Sequence, residues 1–120
     1  MDAIDDFVDH VLGTGFDDLP PQAIRAAKTF TLDSFGVGLS GGAGPWVDEM
    51  IQLSTQWGQG DDARVWGHGL RLPAPAAALC NAYQIHNAEF DCVHEGAVVH
   101  SMTVLLGAAM AVAEKDGGTS

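Results

Sequence analysis

A long run of apolar residues, at positions 97–113, most limits how this chain can fold. Such a run either spans a membrane or forms a helix that other elements bury. His100, Ser101 and Thr103 interrupt the run, and much of the remainder is alanine. We therefore predict a buried core helix from about Val99 to Glu114, and no membrane span.

Four further helices are predicted upstream, so the expected fold class is all-α with about five helices. Apolar residues recur at helical spacing in each of these segments. Glycines follow the first two segments, and prolines open the second and fourth, where proline suits the first turn. The connector 63–72, which contains Gly67 and Gly69, is predicted to be irregular or weakly extended. The four helices are expected at about 4–12, 20–38, 45–57 and 73–89.

The charge balance is strongly acidic, because five Lys and Arg residues against 16 Asp and Glu give a net charge of -11. Such a surface repels nucleic acid and anionic lipid, so we expect neither a nucleic-acid nor a membrane partner. The two cysteines are too few for a disulfide framework. The acidic N-terminal segment lacks the basic residues of a secretory signal. These features together lead us to expect a cytoplasmic protein.

Side chains suited to chemistry concentrate between positions 86 and 100. A helix would place His86 and Glu89 on one face, where the carboxylate can orient the imidazole. His100 falls in the first turn of the apolar helix, where low polarity and the helix dipole favour a neutral imidazole that can act as a base. We predict that this segment forms part of an acid–base active site. Its candidate residues are His86, Glu89, Asp91, Cys92, His94, Glu95 and His100.

Two other interpretations of this segment stay open. Each side chain taken alone is more often an ordinary solvated or hydrogen-bonded residue, and only the clustering favours a site. A metal ion could use His86, Cys92, His94 and His100 as ligands. Their spacing matches no standard metal-binding signature, so we expect no metal. The sequence also contains no nucleophile elbow, phosphate loop or dinucleotide fingerprint.

The residues from position 65 to position 114, VWGHGLRLPAPAAALCNAYQIHNAEFDCVHEGAVVHSMTVLLGAAMAVAE, resemble the MmgE/PrpD family. In that family a VWG element and an N-G or N-A pair precede the motif H-x-x-D-F-D-D and a later histidine. Residues 28–38 (KTFTLDSFGVG) are similar to the helix of the family that ends in D-T-L-G-V. The motif positions are filled here by Asn81-Ala82, His86, Glu89-Phe90-Asp91 and His100.

Four positions depart from the family's pattern. Glu89 replaces the usual aspartate and is one methylene longer, and Cys92 replaces the second aspartate after the aromatic residue. Val93 stands where threonine is common, and Ser101 stands where proline usually follows the histidine. These departures leave the exact reaction open.

The resemblance implies that residues 1–120 form the N-terminal part of the family's helical domain, within a longer two-domain protein. It also implies a homodimer that needs no cofactor. Family members include 2-methylcitrate dehydratase, cis-aconitate decarboxylase and iminodisuccinate epimerase, which move protons next to a carboxylate of a small polycarboxylic acid. The candidate catalytic residues are His100, Glu89, Asp91 and His94, and the candidate substrate-binding residues are His86 and Arg71.

Three functions are compatible with these features. The first is a lyase of this family, a dehydratase or a decarboxylase, that acts on a small polycarboxylic acid. The second is an epimerase or racemase of the same family, and the third is a catalytically inactive helical fragment. Polycarboxylates need cations for binding, but Arg64 and Arg71 are the only basic residues between positions 29 and 114. We therefore expect most of that positive charge to come from elsewhere.

Overall fold

The computed structural model describes residues 2–118, and within them the chain forms five α-helices and one short hairpin. This confirms the prediction of an all-α fold with about five helices. A single 3-10 turn at Phe16–Asp18 links the first two helices. The elements are α1 (Ala3–Gly13), α2 (Pro21–Gly41), α3 (Val47–Trp57), β1 (Ala63–Val65), β2 (Leu70–Leu72), α4 (Ala74–His86) and α5 (Ser101–Lys115).

Local sequence signals explain where the first two helices begin. Asp2 caps α1 by accepting a hydrogen bond from the Ile4 amide, and the Asp5 carboxylate accepts one from the Asp2 amide. This reciprocal pair satisfies amide groups that the first helical turn leaves free. Pro21 occupies the first position of α2, where the missing N–H costs no helical hydrogen bond. The predicted starts of both helices therefore lie within a residue of the observed ones.

The connector at residues 63–72, predicted to be irregular or weakly extended, is extended at both ends and forms a short antiparallel hairpin. Ala63 pairs with Leu72 and Val65 pairs with Leu70. The strands are only three residues long, too short for an alternating pattern to reveal them. Their stability comes from α4, where the buried Asn81 side chain accepts a hydrogen bond from the Trp66 amide at 3.0 Å and donates one to the Arg64 carbonyl at 2.9 Å.

The apolar helix predicted from about Val99 to Glu114 is α5, and the described residues bury only part of it. Leu106 and Ala111 are buried against the rest of the chain, but Val104 and Leu105 are 65% and 62% exposed. The helix therefore presents an apolar face that no described residue covers. Within residues 2–118, no helix is both long enough and apolar enough to cross a membrane.

Helix α4 lies at the centre of the fold and packs against α2, α3, α5 and β1. Small residues on α4 allow close approach, as its alanine-rich sequence suggests. Gly107 of α5 lies against Ala78 and Ala82 of α4, so closely that a Cβ atom there would sit 2.9 Å from the Ala78 carbonyl oxygen. Gly41 of α2 lies directly over the backbone of Gln84. Backbone contact on two sides fixes the position of α4.

Gly107→Ala should destabilise the fold, because the added methyl group meets rigid backbone and forces α4 and α5 apart. We expect a loss of about 1–3 kcal/mol in the free energy of unfolding, measured by urea denaturation. Gly36→Ala is the matched control, since Gly36 lies within α2 and has open space at the Cβ position. The control should gain about 0.5–1 kcal/mol from helix propensity. Equal changes in stability for Gly107→Ala and Gly36→Ala would contradict the close approach of α5 to α4.

Candidate active site

The candidate site lies where the end of α4 meets the start of α5. These two helices run antiparallel, and the segment 87–100 joins them. The segment is folded by backbone hydrogen bonds, including one from the His94 amide to the Val99 carbonyl at 2.9 Å. Glu89 and Val98 adopt left-handed backbone conformations, with φ of 51° and 50°. These two turns return the chain to α4 and place Asp91 between the helix ends.

The carboxylate of Asp91 lies between two imidazole rings. Its Oδ1 atom accepts a hydrogen bond from Nδ1 of His86 at 3.0 Å. Its Oδ2 atom lies 3.0 Å from Nδ1 of His100. The two rings are in edge-to-face contact, with centroids 4.8 Å apart. One residue from the end of α4, one from the connecting segment and one from the start of α5 therefore form a single cluster, which we call the His–Asp–His cluster.

Thr103 completes the surroundings of the carboxylate. Its hydroxyl donates a hydrogen bond to Oδ2 of Asp91 from the first turn of α5. The Asp91 side chain is fully buried. Burial acts to raise the pKa of Asp91, but the hydrogen bonds from Thr103 and His86 outweigh it and hold the pKa below its ordinary value. Asp91 is therefore a buried carboxylate that is kept ionised by its donors.

The two imidazoles are less enclosed than the carboxylate between them. The His86 side chain is 47% exposed and the His100 side chain is 37% exposed. Nδ1 of His86 is hydrogen-bonded to Asp91, and Nδ1 of His100 lies 3.0 Å from the same carboxylate, so Nε2 is the nitrogen of each ring that remains for other partners. A carboxylate that orients an imidazole through Nδ1 leaves Nε2 as the atom that exchanges protons with a substrate. The cluster can therefore carry out acid–base chemistry at its open side.

His100 differs from the prediction in its surroundings. The helix begins at Ser101, so His100 occupies the N-cap position rather than the first turn. A carboxylate is its close neighbour, where the sequence suggested an apolar environment. The His100 Nδ1 atom is buried and makes no hydrogen bond, because its ring orientation does not direct an N–H toward the nearby Asp91 oxygen.

Glu89 lies outside the cluster. The prediction that Glu89 shares a helix face with His86 was wrong, because α4 ends at His86. Glu89 follows in a left-handed turn and its side chain is exposed. Asp91, five residues after His86, occupies the place beside the imidazole that the sequence analysis gave to Glu89. The spacing argument failed because it required the helix to continue for one more turn.

The structure does not bring His94 into the cluster either. Its Nδ1 atom accepts a hydrogen bond from the Ala97 amide at 3.1 Å, and its side chain is exposed. This contact stabilises the turn that leads to His100. Cys92 is partly buried and is not among the residues that converge on the carboxylate.

Arg71, predicted to bind substrate, lies at the opposite end of α5. Its guanidinium contacts Glu114 at 3.2 Å and donates hydrogen bonds of 2.7 Å to the carbonyls of Asp61 and Asp62. Glu114 is 14 positions beyond His100 along α5, which corresponds to about 21 Å at the rise of a helix. Within the described residues, Arg71 therefore holds the hairpin to α5 and does not reach the cluster.

Thr103 is the member of the site that sequence reasoning missed. It interrupts the apolar run three residues after His100, and residues three apart on a helix lie on the same face. That interruption was the available signal. The role of Thr103 could be assigned only once the structure showed that Asp91 lies against the first turn of α5.

The fold and the cluster define an all-α domain that carries a buried carboxylate between two histidines. The sequence model of the MmgE/PrpD N-terminal domain matches residues 5–120, and the chain belongs to this family. A cis-aconitate decarboxylase of Aspergillus terreus is 32% identical over 98 residues, which cover 82% of this chain and 20% of that protein. A cis-aconitate decarboxylase-like protein, oryM, of Aspergillus oryzae is 33% identical over 97 residues, which cover 81% of this chain and 20% of that protein. The chain thus spans about a fifth of the length of these relatives.

Thr103→Val should destabilise the protein, because it removes a donor from a buried, ionised carboxylate and leaves the shape of the side chain unchanged. We expect a loss of about 1.5–3 kcal/mol in the free energy of unfolding near neutral pH, measured by urea denaturation. Thr55→Val is the control, since the exposed Thr55 hydroxyl donates only to the Gln52 carbonyl within α3. The control should change stability by less than about 0.5 kcal/mol. A Thr103→Val loss no larger than this would argue against the Asp91 contact.

Proposed function

We propose that this chain supplies the histidine–aspartate part of a lyase site that acts on a small polycarboxylic acid by cofactor-independent proton transfer. Membership of the MmgE/PrpD family and similarity to proteins named cis-aconitate decarboxylase support the reaction class. The observation that carries the proposal is the buried Asp91 carboxylate between His86 and His100. Decarboxylation of an unsaturated tricarboxylic acid is the favoured reaction, with dehydration as the close alternative.

The roles follow from the geometry of the cluster. His100 is the proposed acid–base residue, and His86 supplies the second imidazole next to Asp91. In a decarboxylation the substrate loses CO2 and the carbon that carried it takes a proton from an imidazolium. In a dehydration a neutral imidazole removes a proton next to a carboxylate, and an acid protonates the departing hydroxyl. Asp91 holds the ring of His86 through a hydrogen bond, and its negative charge lies 3.0 Å from Nδ1 of His100, where it can stabilise an imidazolium that forms during the reaction.

An epimerase of the same family is the alternative reaction. An epimerase that uses two bases holds the substrate carbon between them, so that a proton leaves one face and returns to the other. The similar proteins are named cis-aconitate decarboxylase or cis-aconitate decarboxylase-like, which favours a lyase.

The cluster is one wall of the proposed site. Its two imidazoles are open to solvent, and the guanidinium of Arg71 is engaged about 21 Å away along α5. The cations that bind a polycarboxylate are therefore proposed to come from other parts of a longer two-domain polypeptide or from the second subunit of a homodimer. We also propose a cytoplasmic location, which fits two cysteines that remain as free thiols.

Turnover of candidate substrates tests the proposal directly. CO2 release from cis-aconitate and dehydration of 2-methylcitrate would be measured for the wild type and for His100→Ala. In the full-length polypeptide, which is proposed to supply the binding cations, we expect turnover with one of these substrates and a reduction of kcat by about 10²–10⁴ in His100→Ala, the range for loss of an acid–base group. His94→Asn is the matched control, because His94 lies outside the cluster and the Asn amide oxygen can still accept the hydrogen bond from the Ala97 amide. Its kcat should stay within about threefold of the wild type.

A second pair of variants separates the two carboxylates. Asp91→Asn should lower kcat far more than Glu89→Gln, because only Asp91 contacts the imidazoles. A larger loss of kcat in Glu89→Gln than in Asp91→Asn would support the catalytic role predicted for Glu89 from the sequence. A folded wild-type protein that turns over neither substrate would favour the inactive helical fragment.

A further inference from the structure

We propose that the His–Asp–His cluster is a binding site for a divalent transition-metal ion such as Zn²⁺. His86, Asp91 and His100 each offer a ligand atom, and these atoms lie within 4.8 Å of one another. Two imidazole nitrogens and one carboxylate oxygen are a ligand set that transition metals bind when further positions stay open. The proposal concerns binding and does not depend on the proposed lyase activity.

The distances in the cluster are close to those of a metal centre. Zinc lies about 2.0–2.1 Å from imidazole nitrogen and carboxylate oxygen, so adjacent ligands of a tetrahedral ion are about 3.3 Å apart. The Asp91 oxygens lie 3.0 Å from Nδ1 of His86 and 3.0 Å from Nδ1 of His100. Each imidazole–carboxylate pair therefore needs to open by about 0.3 Å to admit the ion. The widest separation among the three ligand atoms is no more than 4.8 Å, so it needs to close by up to about 1.5 Å.

The Nδ1 atom of His100 is an independent indication of a ligand. It is buried and has no hydrogen-bond partner, although it lies beside an ionised carboxylate. Buried polar atoms in proteins are nearly always paired, and an exception calls for an explanation such as an ion. A metal bound along the in-plane lone pair of Nδ1 would give this nitrogen a partner, which the Asp91 oxygen does not provide from its present direction.

The surroundings of the cluster also suit a metal. Thr103 donates a hydrogen bond to Asp91, as outer residues do when they fix a ligating carboxylate. The partly exposed imidazoles leave room for water or another ligand in the remaining positions. Imidazole together with carboxylate favours zinc and its first-row neighbours over the calcium and magnesium ions that prefer oxygen ligands.

A bound ion would change the chemistry of the cluster. It would displace the proton between His86 and Asp91 and would separate the carboxylate from both rings. In so far as the proposed lyase function holds, Zn²⁺ should therefore act as an inhibitor that competes with proton transfer at the same atoms.

Titration of the purified protein with Co²⁺ and with Zn²⁺ tests the proposal. We expect one ion to bind per chain, with visible absorption bands from coordinated Co²⁺ that disappear when Zn²⁺ displaces it. His86→Ala and His100→Ala should each weaken binding by at least about 100-fold, and Thr103→Val by about 10–100-fold. Both histidines are partly exposed, but His86→Ala also removes a donor from Asp91, so circular dichroism checks that each variant keeps the fold.

His94→Asn and Cys92→Ser are the matched controls, because both residues offer a potential ligand in the same segment but lie outside the cluster, and Asn keeps an acceptor for the Ala97 amide. Neither should change the affinity by more than about twofold. A wild-type protein that binds no Co²⁺, or one whose affinity depends on His94 or Cys92 instead, would overturn the proposal. Metal binding by a protein without lyase activity would support this site and count only against the proposed function.

Discussion

Burial of the Asp91 carboxylate between two helix ends is the interaction on which the candidate site depends. A carboxylate in such a position is costly unless donors surround it. Here His86 ends α4, Thr103 lies in the first turn of α5, and both donate to the same group. The connecting segment, α4 and α5 are therefore held together by one residue, and the geometry of the two imidazoles follows from where that residue sits.

Close helix packing makes this arrangement possible. Gly107 brings the backbone of α5 against Ala78 and Ala82, and Gly41 brings α2 against the other side of α4. Larger side chains at these contacts would separate the helices and move His86 away from His100. Asn81 also attaches the hairpin to α4, because its buried amide forms hydrogen bonds with backbone groups of Arg64 and Trp66. The small residues of α4 thus allow neighbouring helices to approach closely, and Asn81 holds the hairpin. This packing positions His86 near His100.

The same cluster supports both proposals because protons and transition metals bind the same nitrogen and oxygen atoms. A carboxylate that orients two imidazoles is suited to proton transfer when those atoms carry protons. It is suited to coordination when an ion takes the protons' place. Family membership and the names of the relatives favour the first use, while the unpaired Nδ1 of His100 favours the second. Asp91, rather than Glu89, is the residue that both uses require.

The sequence by itself determined the helical class, most helix boundaries and the segment that contains the site, because apolar periodicity, prolines and capping residues act locally. The family motif also identified His86, Asp91 and His100 as candidates. Tertiary structure decided which side chains meet. The hairpin forms because Asn81 binds its backbone, and Glu89 lies outside the cluster because α4 ends at His86. Thr103 joins the site because α5 packs against α4. Contacts of this kind depend on how helices approach one another, which residue spacing along one element does not specify.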